Sequence, residues 1–181
     1  MDMERAELEK KVTGLMDTSN LPELGDGSRG SGGGVKPDRK AMQDLLDSED
    51  LPVAIGELLI SLYLLWHDHL DASHTISQDY GHPEASYIHG MMHRREGDYG
   101  NAKYWFRRAQ PLEDESAFAE DLHNIYMELG GGTSTYEFLS PTHWEPADFV
   151  DACRRDLQND DLQIVQAAEF HAMARHLIRH A

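Results

Sequence analysis

Between residues 85 and 109, small side chains recur at Gly90, Gly97, Ala102 and Ala109, with Tyr99 and Phe106 set among them. Small residues at helical intervals let two backbones approach closely, and glycine tolerates the turn that joins them. The stretch predicts two antiparallel helices packed around a tight turn. It also settles which side chains face inward, and two of those inward positions are His89 and His93.

A chain of 181 residues is long enough to bury a substantial core as one domain. Its formal net charge of -17 argues against binding to nucleic acid or anionic membrane surfaces, which would repel it. The charge is uneven. Residues 51–89 hold no Lys or Arg, whereas Arg94, Arg95, Lys103, Arg107 and Arg108 fall close together. Such an island could receive an acidic peptide or phosphate, or could neutralise neighbouring acidic helices. Cys153 is the one cysteine, which excludes an intramolecular disulfide and a Cys-rich zinc site and suits a small core residue. The start, Met1-Asp-Met-Glu-Arg, is charged and unlike a signal peptide, and the apolar run Leu58–Trp66 is too short to span a bilayer. A cytoplasmic protein with no membrane partner is the expectation.

Residues 1–12 could form a short charged helix with little to bury. Composition then shifts, ending in the Gly/Ser-rich run Gly25–Gly34, so residues 1–36 are expected as a flexible segment and linker. That run is no phosphate-binding loop, because it lacks a Gly-Lys-Ser/Thr ending and no apolar strand precedes it. The remainder, 37–181, reads as a single all-α domain with no sheet. Helices are expected at about 51–67, 68–78, 84–96, 98–109, 115–129 and 145–158, and from Asp160 to the end, with Gly130-Gly-Gly132 as a C-terminal cap. Trp144 before Glu145-Pro146 reads as a staple fixing helix entry.

Gly90, Gly97-Asp98-Tyr99, Ala102, Phe106 and Ala109 stand at the spacing of a tetratricopeptide-type helical repeat, and residues 83–114 resemble one such unit. Weaker echoes lie upstream at Leu59, Tyr63, Asp68, Ala72 and Ile76, and downstream at Leu122, Tyr126 and Gly130, so the resemblance covers about residues 51–130. His67 and His69 sit where the family favours Gly and an aromatic, and Ser86 replaces a large aromatic. Both an open hairpin array and a compact helical bundle therefore remain. The resemblance implies an interaction module for a protein or peptide partner, whose concave groove would present Tyr87, Met91, Arg94 and Arg95, suited to an acidic or carboxylate-bearing peptide. Self-association into a homo-oligomer would be another way to cover imperfect outer repeats. The segments His89–Tyr99, Asn101–Arg108 and Trp144–Asp151 are also similar to a bacterial protein family with no assigned activity, a likeness that implies a shared fold and no chemistry.

His89 and His93 are four residues apart and share one helix face, where the flanking units keep Leu59 with Tyr63 and Leu122 with Tyr126. Imidazoles in such positions need hydrogen-bond partners or a ligand, because an unpaired buried polar group costs about 1–3 kcal/mol. His67, Asp71 and His74 form a second set, on one face if a single helix runs through them; a turn at Asp68 would break it. Antiparallel packing could bring the two sets together, and two or three His with a carboxylate suit zinc, iron or manganese, with Glu96 or Asp71 placed to act on a bound water. The competing reading is a buried hydrogen-bonded network. His176 and His180, also four apart, are expected at a frayed, solvated C-terminus.

Overall fold

Each helix expected from residue 51 onward forms. The computed structural model describes residues 3–16, 20–26, 39–132 and 136–181. Among these, the helices are α1 (Met3–Met16), α2 (Arg39–Leu46), α3 (Val53–Trp66), α4 (Leu70–Ser77), α5 (Pro83–Glu96), α6 (Tyr99–Ala109), α7 (Glu115–Glu128), α8 (Pro146–Arg155) and α9 (Asp160–Arg179). The fold is all-α apart from a minimal antiparallel hairpin, β1 (Leu139–Ser140) and β2 (His143–Trp144), paired Leu139 with Trp144. That hairpin corrects the expectation of no sheet. With two residues per strand it carries no period-2 signal and merely turns the chain between α7 and α8.

Helix α3 is apolar on nearly every side and is buried continuously from Leu58 to Trp66, as a central helix must be. It packs against α1, α2, α4, α5 and α9. α5 and α6 fold back on each other around Gly97, which takes the left-handed conformation at φ 86° that glycine adopts without strain. Pro83 opens α5 at a position where its missing N–H costs nothing. Trp144 packs against Phe149 with ring centroids 5.3 Å apart and planes tilted by 51°, the expected staple across the start of α8.

Gly90 sets the closeness of α5 and α6. A Cβ built there would lie 3.0 Å from the Phe106 ring, which is buried and held edge-to-face against Tyr87 at 5.0 Å. Alanine in a helix gains about 1 kcal/mol over glycine, but overpacking a pinned ring costs about 1–3 kcal/mol. Gly90→Ala should therefore be net destabilising, by about 1 kcal/mol in urea unfolding; a rise in stability would show that Phe106 can yield.

Residues 1–36 are expected as a flexible segment outside the domain, yet the described parts of it, 3–16 and 20–26, contribute to the core. Leu8, Val12 and Met16 are buried stripe positions of α1, and Leu24 is fully buried. α1 lies along α9, where Arg5 donates to the carbonyls of Arg179 and Ala181 at 2.8 and 2.6 Å. The Arg179 carbonyl belongs to the last turn of α9, whose carbonyls have no partners within the helix. Arg175 bridges Glu9 of α1 and Asp121 of α7 at 2.7 and 2.8 Å, and Arg179 reaches Asp121 at 2.6 Å. Most of the Gly-rich run and the expected domain start at Pro37 lie outside the described residues.

Helix α9 is the longest element and packs against α1, α3 and α7. It also meets α5 through side chains. Buried Glu169 accepts from Arg94 Nη1 and Nη2 at 3.1 and 2.5 Å and from the Tyr87 hydroxyl at 3.0 Å. The Arg94 guanidinium lies 4.4 Å from the centroid of the Phe149 ring. Gln166, one turn earlier, holds the N-terminal segment by donating to the carbonyls of Pro22 and Glu23. No helix among the described residues is long and apolar enough to cross a membrane.

Candidate metal centre

The expected peptide groove is filled by the chain itself. Tyr87, Met91, Arg94 and Arg95 are all buried, at 3%, 0%, 0% and 1% exposure, so they cannot present a concave surface to a peptide. Glu169 supplies the carboxylate that Arg94 was expected to take from a partner. Arg95 pairs with buried Asp68 and donates to the carbonyls of Leu65 and Gly25. With Lys103 bonded to Asp151 of α8, three of the five basic residues in the island neutralise internal acids.

The histidines divide differently from their sequence grouping. α3 ends at Trp66, Asp68 turns the chain with φ at 64°, and α4 begins at Leu70. An aspartate visits this left-handed region more readily than most residues. His67, Asp71 and His74 consequently do not share one helix face. His67 packs on Tyr63 and bonds to the Leu15 carbonyl at 3.3 Å, and Asp71 is exposed. Both leave the expected ligand set. α4 is drawn onto α3 by Ser61, whose hydroxyl bonds to the Ser73 carbonyl at 3.0 Å and to the Ser73 hydroxyl at 2.9 Å. His74, next to Ser73, then meets α5.

The residues that do converge are His74, His89 and His93, with one nitrogen from each within 4.8 Å of the others. Two imidazole nitrogens on a tetrahedral zinc, each at 2.0–2.1 Å, stand about 3.4 Å apart. The nitrogens therefore stand up to about 1.4 Å farther apart than a bound ion would hold them. Ring centroids are 4.6 Å apart for His74–His89, 4.7 Å for His89–His93 and 5.5 Å for His74–His93.

Each imidazole has a distinct setting. His89 is 3% exposed, stacks on Trp105 at 4.1 Å, and has no hydrogen-bond partner at Nδ1. Burial, then the neighbouring His93 and His74, push its pKa down to about 4, so it is a neutral donor at pH 7. His93 is held at both ring nitrogens. Its Nδ1 stands 2.5 Å from Glu96 Oε1, and Asn101 Nδ2 stands 3.0 Å from its Nε2. This network assigns Nδ1–H as donor to the carboxylate and Nε2 as acceptor from the amide. Half-buried His74 closes the triangle from α4. His93 also belongs to a more exposed group with Glu96 and Asp98, again within 4.8 Å. Both groups could hold a metal ion. In the buried one, Glu96 stands where an outer carboxylate orients a ligating histidine.

His89, His93, His74 and Glu96 stand out in the sequence, whereas Asn101, Trp105 and Asp98 join the site only through the packing of α6 on α5. Asp98 caps α6 by accepting from the Asn101 N–H at 3.1 Å, which aims Asn101 at His93. Trp105 lies one turn on, over His89. The cap signal was legible; the alignment of that face with the histidines depends on how α6 packs. His176, expected at a solvated end, is 1% exposed, lies 3.4 Å from Glu84 and packs edge-on to Phe118. Cys153 is fully buried and burial pushes its thiol up to about 12, which leaves no thiolate for nucleophilic work.

Comparison of the chain with protein-family models, with curated proteins and with solved structures finds no match. The functional reading rests on the site's own geometry.

Proposed function

We propose that this protein binds a divalent transition-metal ion through His74, His89 and His93, with zinc the first candidate and iron or manganese the alternatives. The observation that carries the reading is His89. Its Nδ1 is buried and lacks a partner in a cluster of three converging imidazoles. A buried orphan of this kind costs about 1–3 kcal/mol, a penalty that a hydrogen-bonded core network would have removed. Imidazole nitrogens suit zinc and iron, whereas manganese prefers oxygen donors. Three protein ligands leave a fourth position for water; His93 would ligate through Nε2 in exchange for its bond to the Asn101 amide, with Glu96 holding Nδ1–H as an outer carboxylate.

The test is zinc titration of untagged, chelator-treated protein against a chromophoric competitor, with metal content read by plasma mass spectrometry. Wild type should bind one equivalent. His89→Ala and His74→Ala should each weaken binding by about tenfold to a hundredfold, while His67→Gln, outside the cluster, should leave affinity unchanged. Wild-type affinity no better than that of the His89 and His74 variants would overturn the reading.

A further inference from the structure

A second site lies away from the histidine cluster. A cleft of about 280 Å³ opens between the α6–α7 connection, the β-hairpin and the starts of α7 and α8. Tyr87, Phe118 and Trp144 line it with aromatic rings, Glu115 and Glu145 supply carboxylates and His143 an imidazole; no Lys or Arg among the described residues lines it. The rings are fixed in place. Trp144 Nε1–H donates to the Tyr87 hydroxyl at 2.7 Å, Tyr87 donates in turn to Glu169, and Tyr87 packs edge-on to Phe118 at 5.4 Å. With its hydroxyl so engaged and its ring buried, Tyr87 stays a neutral phenol.

Two helix N-termini reach this cleft, an arrangement that ordinarily favours an anion. Here both are already served by carboxylates. Asp114 accepts from the Ala117 N–H and Glu145 from the Ala147 N–H, at 3.4 and 3.1 Å. An incoming anion would meet those charges, in a chain whose net charge is -17. A cation would meet carboxylates and aromatic side chains, a combination that favours positive charge. The volume is at the low end for ligand pockets, about 300–1,000 Å³, which restricts the occupant to a small molecule. We propose that this cleft binds a small organic cation, an ammonium group carried on an apolar body.

Phenethylammonium is a suitable probe, with 2-phenylethanol and 3-phenylpropanoate as its neutral and anionic counterparts. Binding to the full chain is followed through the Trp144 indole N–H by NMR, assigned with Trp144→Phe. The amine should shift that signal saturably with Kd below about 1 mM, and the alcohol and carboxylate should bind at least about tenfold more weakly. Glu115→Gln, an exposed substitution that removes no helix cap, should weaken the amine about threefold to tenfold at unchanged Tm. Equal binding of the alcohol or the carboxylate, unchanged affinity in Glu115→Gln, or no saturable shift up to about 10 mM would each overturn the proposal.

Discussion

Glu169→Ala is expected to lower unfolding stability by about 3–5 kcal/mol, the largest single effect among these substitutions. The carboxylate is wholly buried and accepts from Arg94 twice and from Tyr87 once. Removing it strands a guanidinium that has no access to solvent and a phenol that has lost its acceptor. Arg94 shows the balance already: burial pulls its pKa down, and the Glu169 carboxylate, together with Cys153 and Tyr87, more than restores it, for a net rise. The pair itself is a weak source of stability, because two desolvated charges roughly repay their own cost. The double variant Arg94→Met, Glu169→Leu should therefore recover most of the loss. Urea unfolding of the three variants measures the coupling directly. A loss below about 1 kcal/mol in Glu169→Ala would mean that water reaches Arg94.

The second large effect is a pH dependence centred on His89. Its pKa is about 4 in the folded chain against an ordinary value of 6.5. Between those values the unfolded chain takes up a proton that the folded chain refuses, so stability falls as pH falls through that window. It is unaffected by this group above about pH 6.5 and levels off below about pH 4. The full loss is at most about 3 kcal/mol. Metal-free wild type should lose that much more than His89→Leu when unfolding is compared at pH 7 and pH 4. Parallel curves for the two proteins would mean that the His89 ring protonates in place. Because a metal needs the deprotonated ring, zinc should steepen the wild-type dependence and leave His89→Leu little changed.

Much of this architecture was written in short-range pattern. Gly90, Gly97, Ala102 and Ala109 announced the α5–α6 hairpin, Trp144 announced a staple at the entry to α8, and the four-residue step placed His89 and His93 on one face. Each depends on residues within a turn or two of one another, where helical geometry leaves few options. The N-terminal stripe Leu8, Val12 and Met16 was equally present in the sequence. It is only three residues wide among charges, too little to show that it would dock on a helix more than 140 residues away.

The sequence by itself determined an all-α chain, its helix boundaries to within a few residues, and the inward facing of two histidines. Only the tertiary structure decided what those inward residues meet. Asp68, in its left-handed turn, sends His67 and Asp71 away from His89 while delivering His74 to it. α9 lays Glu169 against Arg94, which turns an expected docking surface into buried core. Helical periodicity specifies a face, whereas the partner of that face is chosen by the summed packing of segments far apart in the chain, and no local pattern encodes that sum.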